Sequence, residues 1–166
     1  MPDKVQPIPA GYHSISPAIT CKNAARAIDF YKEAFGATEI NRMPGPGGTV
    51  MHAELRIGDS VIFVSDEFPG MSAAPTPGAI PSFYLFLYTP DVDTVFNRAL
   101  AAGAQVGMPV TDMFWGDRYG KLTDPFGHSW GIATHVEDVS PDEMARRSAE
   151  WTAKMAKSAA ATAGQS

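Results

Sequence analysis

The chain carries one order of structural signals twice, and that duplication limits the available folds more than any other feature. Gly103 follows Gly36 by 67 residues, within Ala102-Gly103-Ala104 and Phe35-Gly36-Ala37. Gly127 follows Gly58 by 69, within Gly127-His128-Ser129 and Gly58-Asp59-Ser60. A nearly constant offset is the residue of an internal duplication.

Each copy reads β-α-β-β-β. In the first, a β-like run covers 13–20, Asn23 caps a helix over 24–35, and Ala27, Ile28, Tyr31, Ala34 and Phe35 recur at helical spacing until Gly36 stops it. A strand over 37–43 ends at a PGPGG turn, 44–48. Residues 50–57 then alternate, with Met51, Ala53, Leu55 and Ile57 pointing one way and His52, Glu54 and Arg56 the other. Gly58-Asp59 makes a hairpin turn into the apolar strand 60–65. The second copy has an aromatic strand over 82–88, a helix over 92–102 capped by Asp91, and strands over 105–110, 117–123 and 129–134.

The expected domain map follows. Residues 1–12 form a proline-rich arm, 13–66 the first module, and 82–137 the second. The stretch 67–81, with Pro69, Pro75, Pro77 and Pro81, is the linker. Ser140-Pro141-Asp142-Glu143 is a capping box that opens a C-terminal helix within 138–158, and 159–166 is expected to be a disordered tail. The helix bears a stripe of Met144, Ser148, Trp151 and Met155, expected to pack on the domain or on a second subunit.

A chain of 166 residues is long enough to bury a core. Its net charge of −5, without a basic face, argues against nucleic-acid and anionic-membrane partners. The first residues have no apolar signal core, and no apolar run reaches the ~20 residues of a membrane span. A cytoplasmic protein is the expectation. Cys21 is the single cysteine, which excludes an intramolecular disulfide, and it reads as a small core residue.

The helix AARAIDFYKEAFGATE, the strand MHAELRIGDS and the ending DPFGHSWGIATH resemble the vicinal-oxygen-chelate superfamily, the glyoxalase and bleomycin-resistance fold. FWGDRYG (114–120) and EDVSPDEMARR (137–147) resemble its PhnB-like branch. The resemblance implies an α+β fold: two tandem βαβββ modules forming U-shaped mixed sheets around a concave pocket, plus the C-terminal helix. It also implies a homodimer and a small-molecule ligand. The superfamily's metal enzymes take one ligand from each of four strand positions, which carry over to Pro17, Phe63, Tyr84 (or a neighbouring residue of SFYLFLY if the register slips) and Gly131. Proline, phenylalanine and glycine have no donor for a divalent ion and a neutral tyrosine is a poor one, so no metal and no cofactor is expected.

Two functions then compete. One is metal-free binding of a small aromatic or planar ligand by Phe63, Tyr84, Phe86, Trp115 and Arg118. Here Trp115 would offer a flat face, and Arg118, six residues before Asp124, would fork to an anion. The other is a lyase or isomerase acting on a small carbonyl or hydroxy compound, with His52 and Glu54 transferring the proton. His128 and His135 read as structural or surface residues, and Asp66 and Glu67 as solvated.

Overall fold

The computed structural model describes residues 5–163. Residues 1–4 of the arm and 164–166 of the tail lie outside the described residues. The first module comprises β1 (Ala18–Cys21), α1 (Ala24–Phe35), β2 (Thr38–Pro44), β3 (Val50–Ile57) and β4 (Ser60–Asp66). The second comprises β5 (Leu85–Tyr88), α2 (Val92–Ala101), β6 (Gln105–Asp112), β7 (Asp117–Thr123) and β8 (Ser129–His135). The last element is α3 (Pro141–Ala163). Two four-stranded mixed sheets result, ordered β1-β4-β3-β2 and β5-β8-β7-β6, with the first strand of each parallel to its last.

The duplication extends to single hydrogen bonds. Asn23 and Asp91, 68 residues apart, cap their helices by accepting the amides of Arg26 and Thr94. The first amide of α1, from Ala24, donates to Asp66 Oδ1 at 2.9 Å, and that of α2, from Val92, donates to Thr134 Oγ1 at 2.8 Å. Donors and acceptors are again 68 apart. So is the pairing of Ile19 with Val64 and of Leu87 with Ile132. Helix ends differ: Gly36 takes the left-handed φ of 68° that only glycine adopts freely, whereas Ala102 closes α2 in a right-handed turn before Gly103.

One core joins the modules. Ala53, Leu55 and Ile57 of β3 face α1, as their alternation predicts, and α1 packs on α2. Met51 does not join them: the register shift that pairs Pro44 with Val50 turns it outward, where it lines a cavity beside His52. The Phe35 ring lies 4.5 Å from Trp130, and Arg98 Nε donates to the Ala34 carbonyl at 2.8 Å. Each large apolar side chain enclosed here stabilises the fold by about 1.5–3 kcal/mol. Asp124 is buried among these rings with four donors: Tyr31 Oη at 2.7 Å, Trp130 Nε1 at 3.0 Å, and the amides of Phe126 and His128, both at 2.9 Å. Cys21 is fully buried, and burial, followed by the Asp124 charge, pushes its thiol up to about 12. It is a core residue rather than a nucleophile.

Several boundaries differ from expectation. β1 starts at Ala18, because Pro17 has no amide to continue the ladder and only its carbonyl is used, by Phe63 N at 2.8 Å. β5 starts at Leu85, and residues 82–83 line a cavity under the linker instead. The final helix runs past 158 to Ala163, in keeping with the high helix propensity of its alanines. Asp66 is buried rather than solvated: its second oxygen accepts the Val50 amide at 2.7 Å, so it ties β3 to α1.

Candidate functional site

Each sheet has one face turned to the helices and one turned away from them. On β3, His52, Glu54 and Arg56 take the helix-free face. Phe63 of β4 joins them directly across from Glu54. The Phe63 and His52 rings are 5.0 Å apart. A carboxylate only accepts, so the contact of 3.2 Å between His52 Nε2 and Glu54 Oε1 places the proton on Nε2. In that tautomer Nδ1 is an acceptor. The other Glu54 oxygen is taken by the hydroxyl of Tyr12, which reaches in from the arm and lays its ring against Phe63. The Tyr12 hydroxyl, ahead of the imidazole, holds the Glu54 carboxyl below the ordinary carboxylate range, and the same bond raises the Tyr12 phenol. Arg56 anchors the arm by donating to the Gly11 carbonyl at 3.2 Å. Beside His52 opens a cavity of about 360 Å³ walled by Thr20, Phe63, Ser65 and, from the linker, Phe68 and Met71.

The second sheet presents a different face. Tyr84, Phe86 and Tyr88 form a chain of rings spaced 6.4 and 4.9 Å apart. Phe86 also stacks on Tyr119 at 5.4 Å with planes 10° apart, and Trp115 meets Tyr119 at 5.9 Å. Gly131 makes this possible, because a Cβ there would come within 2.9 Å of the Tyr119 ring and 3.1 Å of the Tyr84 ring. Burial, then the neighbouring Tyr84, pushes the Tyr119 phenol up to about 12. Beyond the rings, buried Asp117 accepts from Tyr88 Oη at 3.0 Å, Trp115 Nε1 at 2.9 Å and His135 Nδ1 at 2.8 Å. His135 Nε2 also reaches Asp138 at 3.0 Å, and the two aspartates, Asp138 first, raise its pKa.

The expected site residues therefore fall into two groups. His52, Glu54 and Phe63 meet on the first sheet, and Tyr84, Phe86 and Trp115 on the second. No hydrogen bond or ring contact among the described residues joins the groups. Arg118 belongs to neither, which corrects the expectation of an anion-binding fork on this face. β7 turns it to the helix side, where Nε and Nη2 grip Asp93 of α2 at 2.7 and 2.8 Å and Nη1 meets Asp112 at 3.1 Å. Its neighbours Tyr119 and Lys121 alternate to the other face.

This geometry sits on a recognisable scaffold. The family model described as Glyoxalase/Bleomycin resistance protein/Dioxygenase superfamily matches residues 13–132. The chain belongs to that superfamily. An uncharacterized protein of Mycobacterium bovis is 43% identical over 135 residues, covering 79% of this chain and 89% of its own. The structure of TioX from Micromonospora sp. ML1 is similar with a TM-score of 0.61 at 27% identity, covering 75% of this chain and 99% of TioX. A PhnB protein from Bacillus cereus shares the fold with a TM-score of 0.59 at 22% identity, covering 74% of this chain and 99% of that one.

Within the superfamily, the metal question turns on donors. Phe63 and Gly131 occupy equivalent places, opposite Ala18 and Phe86 in the two parallel pairs. With Pro17 and Tyr84 they supply one phenol and no carboxylate, imidazole or thiolate, so these residues do not fit a divalent ion. Among the described residues, no three His, Cys, Asp or Glu side chains gather as an ion site elsewhere. No helix among them is long and apolar enough to cross a membrane.

Sequence reasoning passed over Tyr12, Asp117 and Lys121, and read His135 only as a structural or surface residue. The alternation of β7 was the available signal for Asp117 and Lys121. Tyr12 had none, since an arm without periodicity does not announce which strand it crosses.

Proposed function

We propose that the chain binds a small planar or aromatic ligand without a metal ion, on the helix-free faces of its sheets. The observation that carries this reading is the bare aromatic patch of the second sheet. Tyr84, Phe86 and Tyr88 are 46%, 42% and 62% exposed although Phe86 and Tyr88 stand on β5, and Tyr84 just before it, beside Leu85 and Leu87, which pack on the core. Contiguous apolar surface of this kind marks interaction sites, and flat rings offset-stack on flat ligands. A thermal-shift panel of planar aromatic compounds, bleomycin-like molecules included, tests it. Stabilisation by at least one planar class is expected, and none by any would overturn the reading. A homodimer is expected on sedimentation.

A second reading rests on the first sheet. Tyr12 and His52 Nε2 both donate to the Glu54 carboxylate, and His52 Nδ1 is left to act as a general base beside the cavity of about 360 Å³. Such a group suits a lyase or isomerase acting on a small carbonyl or hydroxy compound. A His52→Ala variant should then lose turnover by about 10²-fold or more. Turnover equal to the parent protein would remove His52 from that role.

A further inference from the structure

We propose that the ligand of the second sheet is a planar aromatic anion and that Lys121 is its counter-charge. The inference rests on the aromatic-ligand reading above and adds the charge of the ligand.

Lys121 stands on the helix-free face of β7, across from Gly131. Its ammonium lies over the Tyr84 ring, 4.3 Å from the centroid. The side chain is half-buried. Among the described residues no carboxylate lies within ion-pair distance of it, although Arg42, Arg118, Arg146 and Arg147 all hold one or more. The acid nearest in the strand pattern is Asp117, and it is already answered by Tyr88, Trp115 and His135. His135 is in turn held between Asp117 and Asp138. Among the described residues, Lys121 is therefore a cation beside an aromatic floor with no anion to meet.

The floor and the charge are close because of Gly131. Its missing Cβ lets the Tyr119 and Tyr84 rings lie against β8, with Phe86 stacked on Tyr119. A flat ring placed on Phe86 would bring a carboxylate on that ring toward the ammonium. A cation over a tyrosine at a partly exposed site is held only weakly, whereas a charge-assisted hydrogen bond to a carboxylate is roughly twice as strong as a neutral one. The ammonium thus gains by leaving the ring for an anionic ligand. Arg118 cannot take this role, since its guanidinium is committed to Asp93 and Asp112 on the other side of the strand.

The test is isothermal titration of the full chain with 2-naphthoate and with 2-naphthamide, its neutral isostere. The parent protein, Lys121→Met and Lys121→Arg are compared, and circular dichroism checks that the variants fold. The parent should bind naphthoate about tenfold tighter than naphthamide. Lys121→Met should bring the two probes level by weakening naphthoate alone, and Lys121→Arg should keep the preference. Equal affinities in the parent, or a preference that survives Lys121→Met, would overturn the assignment of charge while leaving aromatic binding intact. Binding of neither probe would sink the aromatic-ligand reading, and the assignment with it. Loss of a dimer in Lys121→Met, with probe preference unchanged, would give the counter-charge to a second copy and overturn a ligand role.

Discussion

The two modules share a frame but line it in opposite ways. Glu54 sits across from Phe63 in the first sheet, and Lys121 sits across from Gly131 in the second. An acid on one face thus stands where a base stands on the other. Two residues before each comes His52 or Tyr119. The ring of Phe63 on β4 faces the small Ala18 on β1, whereas bare Gly131 on β8 faces Phe86 on β5. The duplicated strands have exchanged which one carries the aromatic. The first face is hydrogen-bonded, reached by the arm and bordered by linker residues around a cavity; the second is an open aromatic floor. Divergence of this kind leaves the helix-facing positions alone, since those positions share one core and a change in one module is felt by the other.

That shared core can be broken most severely at Asp124. It accepts Tyr31 from the first module and Trp130 from the second, together with two amides of its own turn. Asp124→Ala leaves four donors, three of them buried, without an acceptor, and a loss of about 4 kcal/mol or more is expected, since each stranded buried group costs about 1–3 kcal/mol. Against a typical stability of about 5–15 kcal/mol, chemical denaturation should show a large fall in midpoint. If the modules are bodies of independent stability, the variant will unfold in two separated transitions. A single transition at lower denaturant is the outcome that the common core requires.

The next largest effects separate the modules. Asp66 and Thr134 do the same work at the same offset, each receiving the first amide of a helix. Asp66 is charged and also holds the Val50 amide, while the Thr134 hydroxyl also donates to the Thr89 carbonyl at 2.9 Å. Asp66→Ala is expected to cost about 2 kcal/mol and Thr134→Val about 1 kcal/mol, because bonds to charged groups contribute more than neutral ones. Equal losses would mean that the charge on Asp66 adds nothing to the first module.

These equivalences were largely open to sequence reasoning, and the site only in part. Element order, both helix caps and the alternation of β3 follow from local chemistry that residues declare themselves: Asn23, Asp91, Gly36, and His52-x-Glu54-x-Arg56. Period-two geometry put His52 and Glu54 on one face, whereas Phe63 came from the resemblance and was grouped with Tyr84 and Phe86; the structure sets it beside His52 and Glu54 instead. What failed depended on partners distant in sequence. Arg118 looked like a ligand fork until Asp93, 25 residues earlier, proved to be its partner. Asp66 looked solvated because the amides that bury it belong to Ala24 and Val50. Tyr12 lies 42 residues from Glu54 on an arm with no pattern to read.

The smallest effect concerns a feature of the second module that the first does not repeat. His135 bridges Asp117 and Asp138, while the residue 68 positions earlier, Glu67, accepts the Ala74 amide. Both aspartates favour the imidazolium, so the folded pKa of His135 stands above its ordinary value of about 6.5. A raised folded pKa contributes stability that is fully present below the unfolded pKa and is lost as pH rises through the folded one. The bridge should therefore hold at pH 6 and weaken through neutral and mildly alkaline pH, as the ring loses a proton and one aspartate loses its donor. Asp138 is the one released, since it is exposed and Asp117 is buried. Because the His135 side chain is 52% exposed, solvent screens the interaction and the change in melting temperature should be small. Melting profiles of the parent and His135→Gln, taken from pH 6 to pH 9, isolate it, since groups common to both cancel in the difference. The difference should be largest at pH 6 and shrink as pH rises. A difference that stays flat would show that the bridge contributes no proton-linked stability, and that the two modules respond to pH alike at this position.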